Sequence, residues 1–383
     1  EEKIIDIAKN AAKVGIEMLV LDDGWFGKRN DSTSSLGDWF SNKEKLPDGI
    51  SGLAKKVNNL GLKFGLWFEP EMISPDSELY RTHPDWCLHV EGRNRSRCRN
   101  QLILDLSREE VCDYIVDSLC KNLESAPISY VKWDMNRNMS EIGSASLPPE
   151  RQAEVAHRYV LGLYDILERI TQKFPDVLFE GCSGGGGRFD AGMMYYFSQY
   201  WTSDDSDAVE RMYIQHGTSL VMPASFMSAH VSAVPNHQVG RITSFETRGN
   251  IASCGQFGYE IDITKMTDEE LQQMKLQIER YMQIRDIVHK GNMYRIMSPF
   301  DGNQCVWQFV SEDKKKVVVC CGSVNAKPEQ QGKTIKLRGL NPQSKYKVLE
   351  TNQVYSGDVL MNYGMLLKPQ KDFSAELFTF EEI

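Results

Sequence analysis

REEVCDYIVDSLCKNLESAPISYVKWD, residues 108–134, reads as one helix followed by one strand. Residues 108–124 carry apolar positions at helical spacing, and Ser129-Tyr-Val-Lys-Trp-Asp134 is a strand-like run that closes on a carboxylate. The same unit recurs on both sides. Upstream, an amphipathic helix over 3–14 leads to Glu17-Met-Leu-Val-Leu21 and then Asp22-Asp23-Gly24-Trp25. A helix around 52–60 leads to Lys63-Phe-Gly-Leu-Trp67-Phe68-Glu69. Downstream, a helix over 149–173 leads to Val177-Leu-Phe-Glu-Gly-Cys182, followed by Gln199-Tyr-Trp-Thr-Ser-Asp204, a run near 222–231 and another near 250–258. Strands that alternate with helices are βα units and build a parallel sheet. Seven such runs favour a closed barrel over an open sheet.

The last long helix starts at a capping box, Thr267-Asp-Glu-Glu270, and runs to about His289 before Gly291 stops it. Beyond Tyr294 the pattern changes. Short alternating strands such as Cys305–Val310 and Lys316–Cys321 are separated by Asp-Gly, Gly-Lys and Ser-Gly-Asp turns, which spells an antiparallel β-domain. The expected division is therefore a (β/α) barrel over 1–293 and an antiparallel β-domain over 294–383.

At 383 residues the chain has room for two such domains. A net charge of −9 argues against a nucleic-acid partner, which calls for a clustered basic face. The longest basic run, Lys314-Lys315-Lys316, directly follows Glu312-Asp313 and reads as a solvated hairpin tip. No apolar run reaches the roughly 18–20 residues of a membrane span. The nine cysteines are odd in number and form no CxxC pair, which fits reduced, buried thiols and favours the cytoplasm. The start Glu1-Glu2-Lys3 already lies in a helical pattern, so the natural beginning is expected upstream.

A barrel draws its chemistry from the C-terminal ends of its strands. Those ends supply Asp22, Asp23 and Trp25; Trp67, Glu69 and Glu71; Lys132, Asp134 and Asn136; Cys182 and Ser183; Trp201, Asp204, Asp205 and Asp207. Carboxylates and tryptophans recur on one rim. Carboxylates accept hydrogen bonds from sugar hydroxyls, and aromatic rings pack on sugar C–H faces. Side chains alternate along a strand, so Lys132, Asp134 and Asn136 share one side. A lysine beside Asp134 is expected to hold that carboxylate ionised, as a nucleophile requires, although a structural ion pair at the barrel mouth would read the same way. Asp204, behind Trp201, is the candidate acid, its pKa raised by the Asp134 charge. Asp205 and Asp207 compete for that role, but Asp207 reads better as the cap of a helix beginning near Ala208.

Ser183-Gly-Gly-Gly-Gly187-Arg188 lacks the GxxxxGK[ST] spacing of a phosphate cradle and reads better as backbone approaching a sugar ring. No HExxH or Cys/His cluster has metal-ligand spacing, so neither metal nor cofactor is expected.

The stretches LDDGWFGKRND (21–31), FGLWFEPEMI (64–73), YVKWDMNR (130–137), CSGGGGRFD (182–190), WTSDDSDAVERMYIQHGTS (201–219) and AHVSAVPNHQVGR (229–241) resemble glycoside hydrolase family 36 α-galactosidases, over essentially the whole chain. The resemblance implies a (β/α)8-type TIM barrel followed by a C-terminal antiparallel β-sandwich. It implies retaining, metal-free hydrolysis of terminal α-linked galactose, as in melibiose and raffinose. Asp134 becomes the nucleophile and Asp204 the acid/base. Asp22 and Asp23 would accept from the galactose 4- and 6-hydroxyls, Trp67 would form an apolar wall, and Lys132 and Asn136 would bind ring hydroxyls. Cys182 and Gly185 would line the 2-position, Arg99 would stand near the entrance, and Trp201 would join the substrate-binding set. Family members carry an N-terminal β-sandwich and a first barrel strand ahead of the LDDGW segment. The barrel here is accordingly expected to lack its first strand, and its solubility to depend on that upstream segment. The partners expected are α-galactoside oligosaccharides, with self-association into a homo-oligomer left open and neither nucleic acid nor membrane. The alternatives are an α-N-acetylgalactosaminidase or a galactosyl transferase on the same site, an inactive sugar-binding fragment, or a phosphate-binding barrel.

Overall fold

The computed structural model describes residues 1–188, 190–327, 332–368 and 370–383. Phe189, within the CSGGGGRFD stretch, lies outside the described residues. The chain forms two compact units, Glu1–Ser198 and Gln199–Ile383.

The first unit opens with α1 (Glu2–Val14), β1 (Met18–Leu21), α2 (Gly49–Asn59) and β2 (Lys63–Phe68). A two-residue antiparallel pair, β3 (Met72–Ile73) with β4 (Leu102–Ile103), brackets α3 (Glu78–Thr82). Then come α4 (Glu109–Ser125), β5 (Ile128–Trp133), α5 (Val155–Lys173), β6 (Leu178–Gly181) and α6 (Ala191–Tyr196). Strands β1, β2, β5 and β6 pair in that order, all parallel. Each strand thus adds to the preceding parallel one, as in the wall of a (β/α) barrel.

The local causes are legible. In α1, Ala8, Ala11 and Val14 are buried at spacings of three, and Gly15 ends the helix at φ 94°. Helix α4 buries a stripe of Val111, Cys112, Ile115, Val116, Leu119 and Leu123, with Glu109 and Glu110 in its first turn. Between β1 and β5, a Cβ on Gly65 would lie 3.0 Å from both Val20 Cγ2 and Tyr130 Cβ, so glycine permits that strand spacing. Phe64, Leu66, Phe68, Val131 and Trp133 fill the core around it.

The second unit continues the alternation with β7 (Gln199–Trp201), α7 (Ala208–Thr218), β8 (Met227–Ser232), α8 (Phe245–Ala252), β9 (Gln256–Glu260) and α9 (Asp268–Lys290). Strands β7, β8 and β9 are again parallel in sequence order. The expected run at 250–258 splits: its first part closes α8, whose cap Ser244 accepts from the Thr247 N–H, and the strand begins at Gln256. Likewise residues 224–226 form a single 3-10 turn ahead of β8. Helix α9 has its capping box between Thr267 and Glu270 and ends at Gly291, where a Cβ would lie 2.4 Å from the Ile287 carbonyl oxygen.

The rest of this unit is antiparallel: β10 (Asn292–Met297), β11 (Gln304–Val310), β12 (Lys316–Ser323), β13 (Lys333–Ile335), β14 (Lys345–Val348), β15 (Val354–Ser356), α10 (Gly357–Asn362), β16 (Met365–Leu367) and β17 (Ser374–Glu382). Six strands form one sheet in the order β10-β11-β12-β17-β14-β15, and β13 pairs with β16. Ile335, Met365 and Leu367 from the small pair join Val306, Val317, Val319, Tyr346 and Phe380 from the large sheet in one apolar cluster, the two layers of a sandwich. Lys314 takes φ 62° at the β11–β12 hairpin tip, where Ser311 and Lys316 close the turn.

Among the described residues no helix is long and apolar enough to cross a membrane. All nine cysteines are free thiols, and only Cys98 is exposed.

Candidate active site

In the first unit, β2 and β5 run side by side with Trp67 opposite Lys132 and Phe68 opposite Trp133. The Asp134 N–H extends that ladder by donating to the Phe68 carbonyl at 2.8 Å. This register puts the Asp134 carboxylate, 6% exposed, at the mouth of the parallel strands. Three donors hold it. Trp67 Nε1 and Asn136 Nδ2 reach Oδ2 at 3.1 and 2.8 Å, and the Met135 N–H reaches Oδ1 at 2.9 Å. A buried carboxylate with three donors is pre-oriented and keeps its charge compensated.

Trp67 is itself fixed. Its backbone carbonyl accepts from Trp25 Nε1 at 2.9 Å, and its ring stacks on Phe26 with centroids 6.1 Å apart. The expected apolar wall is thus a buried ring whose N–H is directed at Asp134. Asn136 is a hub: its Oδ1 accepts from the Gly184 N–H at 3.1 Å, and its own N–H donates to Glu69 Oε1 at 2.7 Å. Its carboxamide, expected to face ring hydroxyls, joins Asp134 to the glycine loop. In that loop Gly185 is buried at φ 81°, a conformation that suits glycine, and its carbonyl accepts from the Ser183 N–H at 2.9 Å. Cys182 is buried beside Asp134; burial first, and then the Asp134 charge, pushes its thiol far above the ordinary range, so it stays protonated.

Lys132 departs from expectation. Its ammonium bonds Asp22 Oδ2 at 2.8 Å, whereas the donors to Asp134 are Trp67, Asn136 and Met135. Burial alone would lower the Lys132 pKa, but the Asp22 and Glu180 charges outweigh it and hold the pKa above its usual value. Lys132 therefore orients Asp22. Asp23 is gripped by Arg29, whose Nε and Nη2 reach its carboxylate at 3.0 and 2.9 Å. Asp22 and Asp23 remain 58% and 41% exposed, so oxygen lone pairs stay open to solvent or a ligand. Arg99 sits on the exposed loop before β4 at φ 53° and is not drawn into this cluster.

Two buried acids were passed over as site residues in the sequence reading. Glu69, 1% exposed, accepts from Asn136 N–H and from Gln101 Nε2 at 2.6 Å. Burial, reinforced by the Asp134 charge, raises its pKa to about 7. Glu71 accepts from Trp133 Nε1, Tyr159 hydroxyl and Arg188, at 2.8, 2.7 and 2.8 Å, and ties the end of the glycine loop to the core. The available signal was the placing of Glu69 and Glu71 just past the end of β2, where a barrel draws its chemistry.

In the second unit, three acids follow β7 and their roles separate. Asp207 caps α7 by accepting from Val209 and Glu210 N–H, and it pairs with Arg241. Asp205 accepts from the Asp207 N–H at 3.0 Å and so closes the turn before that cap. Asp204 alone is exposed, with one donor, Trp201 Nε1 at 2.9 Å. Trp201 is clamped between the His230 ring and the Arg211 guanidinium, 4.6 and 4.9 Å away. Asp204 is thus the member of the trio left free for chemistry, and Trp201 positions it. Among the described residues no group of three or more His, Cys, Asp or Glu is arranged to hold a metal ion.

Residues 1–291 match the Melibiase family model, and residues 304–380 match the glycosyl hydrolase family 36 C-terminal domain. The chain is 59% identical over 367 residues to "Alpha-galactosidase AgaA" of Geobacillus stearothermophilus, covering 96% of this chain and 50% of that protein. Two crystal structures of variants of that enzyme, one in complex with raffinose and one with stachyose, each match the whole chain at 56% identity with a TM-score of 0.98 over 53% of their own length. The chain spans about half the length of the curated relatives it matches. It belongs to the melibiase family, with a glycosyl hydrolase family 36 C-terminal domain at its carboxyl end.

Proposed function

We propose that the chain carries the catalytic residues of a retaining α-galactosidase that removes terminal α-linked galactose from oligosaccharides of the melibiose and raffinose type. Asp134 acts as nucleophile and Asp204 as acid/base. The observation that carries this reading is the buried Asp134 carboxylate held by three donors at the end of β5. Asp204 protonates the glycosidic oxygen as Asp134 attacks the anomeric carbon, giving a β-galactosyl ester on Oδ of Asp134. Asp204 then takes a proton from water, which displaces the ester and restores the α configuration. Asp22 and Asp23, fixed by Lys132 and Arg29, accept from hydroxyls of the bound sugar. The names of the relatives support this reading. So does one sequence relation: the aspartates replaced in the raffinose and stachyose complexes are separated in their chain by the same number of residues as Asp134 and Asp204.

The test is hydrolysis of nitrophenyl α-galactoside by the intact enzyme. Asp134→Ala should lose nearly all turnover, and azide should restore it as β-galactosyl azide. Recovery of the α-azide, or undiminished turnover, rules out Asp134 as nucleophile.

The boundary near 293/294 is our proposed division between catalytic and β-domains, supported by the end of α9 at Lys290 and the switch to antiparallel pairing. Nine free thiols, eight of them buried, support residence in a reducing compartment such as the cytoplasm.

A further inference from the structure

Glu69 lies two residues beyond Trp67, directly after the end of β2. Trp67 reaches Asp134 directly. Glu69 reaches it through Asn136: its Oε1 fixes the Asn136 N–H at 2.7 Å, and the Asn136 carboxamide then spans Asp134 Oδ2 and the Gly184 N–H. Gln101, at the end of the arginine-bearing loop, donates to the same Glu69 oxygen at 2.6 Å. The charged and titratable groups around Glu69 are Asp134, the Glu71–Arg188 pair, and Arg137, whose guanidinium donates to the Gln101 carbonyl at 2.9 Å. The two groups that donate to Glu69, the Asn136 N–H and the Gln101 carboxamide, are both uncharged. A carboxyl group is an unusual choice for such a buried spot, since a glutamine would accept the same bonds without the cost of burying charge.

We propose that Glu69 is a positioning residue for the nucleophile, whose anionic form tightens the Asn136 bridge and sets a second negative charge behind Asp134. This rests on the reading of Asp134 given above. As the ester forms, Asp134 loses charge and the sugar gains positive character. A neighbouring anion favours both changes, because it destabilises the free carboxylate and stabilises the oxocarbenium-like transition state. Burial and the Asp134 charge raise the Glu69 pKa to about 7, so the anion forms within the working pH range. Activity therefore gains an acid limb near pH 7.

The experiment compares kcat and KM for nitrophenyl α-galactoside between about pH 5 and pH 9 in the intact enzyme and its Glu69→Gln variant. Glutamine keeps the shape and the accepting oxygen. The expected result is a kcat lower by about tenfold at pH 8 but little changed at pH 5, where native Glu69 is already protonated, with KM within about twofold throughout. A native-to-variant ratio that is the same at both pH values overturns the proposal and leaves Glu69 a packing residue. Should Glu69→Gln fail to fold, Gln101→Leu serves. Losing a donor to the anion should move the native acid limb to higher pH, and an unmoved limb also overturns the proposal. Azide rescue of Asp134→Ala, run in parallel, separates the two failures. Turnover by Asp134→Ala without azide removes the nucleophile itself, whereas a constant pH ratio removes only the Glu69 role.

Discussion

The indole N–H of Trp67 donates to Asp134 Oδ2 at 3.1 Å, so an aromatic side chain at a strand end is also a polar handle on the buried acid. Trp67→Phe keeps most of the ring and deletes that donor. A hydrogen bond to a charged group is worth about 1.5–3 kcal/mol, so kcat should fall by about 10- to 100-fold while the fold survives. Steady-state kinetics on nitrophenyl α-galactoside checks this. A kcat within twofold of native would make Trp67 a packing residue only.

Asp204 is the exposed acid of its trio, and leaving-group chemistry tests its role. Asp204→Ala should cripple raffinose turnover far more than nitrophenyl galactoside turnover, since a good leaving group needs little protonation; the two effects should differ by about 100-fold or more. Asp205→Ala should slow both substrates alike through the turn it closes. If Asp205→Ala discriminates between leaving groups and Asp204→Ala does not, the two roles are exchanged.

Lys132→Met leaves Asp22 without its 2.8 Å partner. With Asp22 more than half exposed the pair is worth about 1 kcal/mol, so KM should rise by roughly fivefold with kcat little altered. The Lys132 pKa is raised in the folded state, so its contribution to stability is fully present below the unfolded value near 10.4 and fades only above it. The melting-temperature difference between native and variant should therefore be the same at pH 6 and pH 9. A difference that shrinks within that window would show that Lys132 loses its proton there.

Glu69 has linkage of the same sign, but in a lower pH window. Its folded pKa is raised from the ordinary carboxylate value to about 7, so between about pH 4.5 and 7 the native state holds a proton that the unfolded chain has lost. Stability then declines as pH rises through that window, by at most about 3 kcal/mol. Glu69→Gln removes the slope. Thermal melts should place the variant above native at pH 8 and level with it, or below, at pH 5. Parallel melting curves across the whole range would contradict a perturbed Glu69.

The first three strand ends could be found from sequence because their apolar runs lead straight into Asp22, Glu69 and Asp134, and Met18–Leu21, Lys63–Phe68 and Ile128–Trp133 fall where the pattern put them. The Asp207 cap was legible too, since its place before Ala208 is a local signal. The Asp22 partner of Lys132 was not legible, because alternation fixes only the side of the strand. The long Lys132 side chain reaches past β2 to Asp22, and that choice depends on the order β1-β2-β5. The Glu69–Asn136–Asp134 relay was hidden for the same reason, as it exists only in the register that sets Trp67 opposite Lys132. In α8, the apolar stretch around Ile251 looked like strand because helix and strand periodicities cannot be told apart over so few residues.

The distribution of thiols makes the folded state directly countable. One sulfhydryl, Cys98 on the arginine loop, meets solvent, while eight are shut inside. Within residues 1–383 a maleimide dye should therefore load once in the native state and nine times in the unfolded one, which turns reagent stoichiometry into an unfolding gauge. The single native label would also ride on the loop whose far end, Gln101, touches Glu69. Its fluorescence would then report, without any added mutation, whether a sugar in the site is felt at that loop.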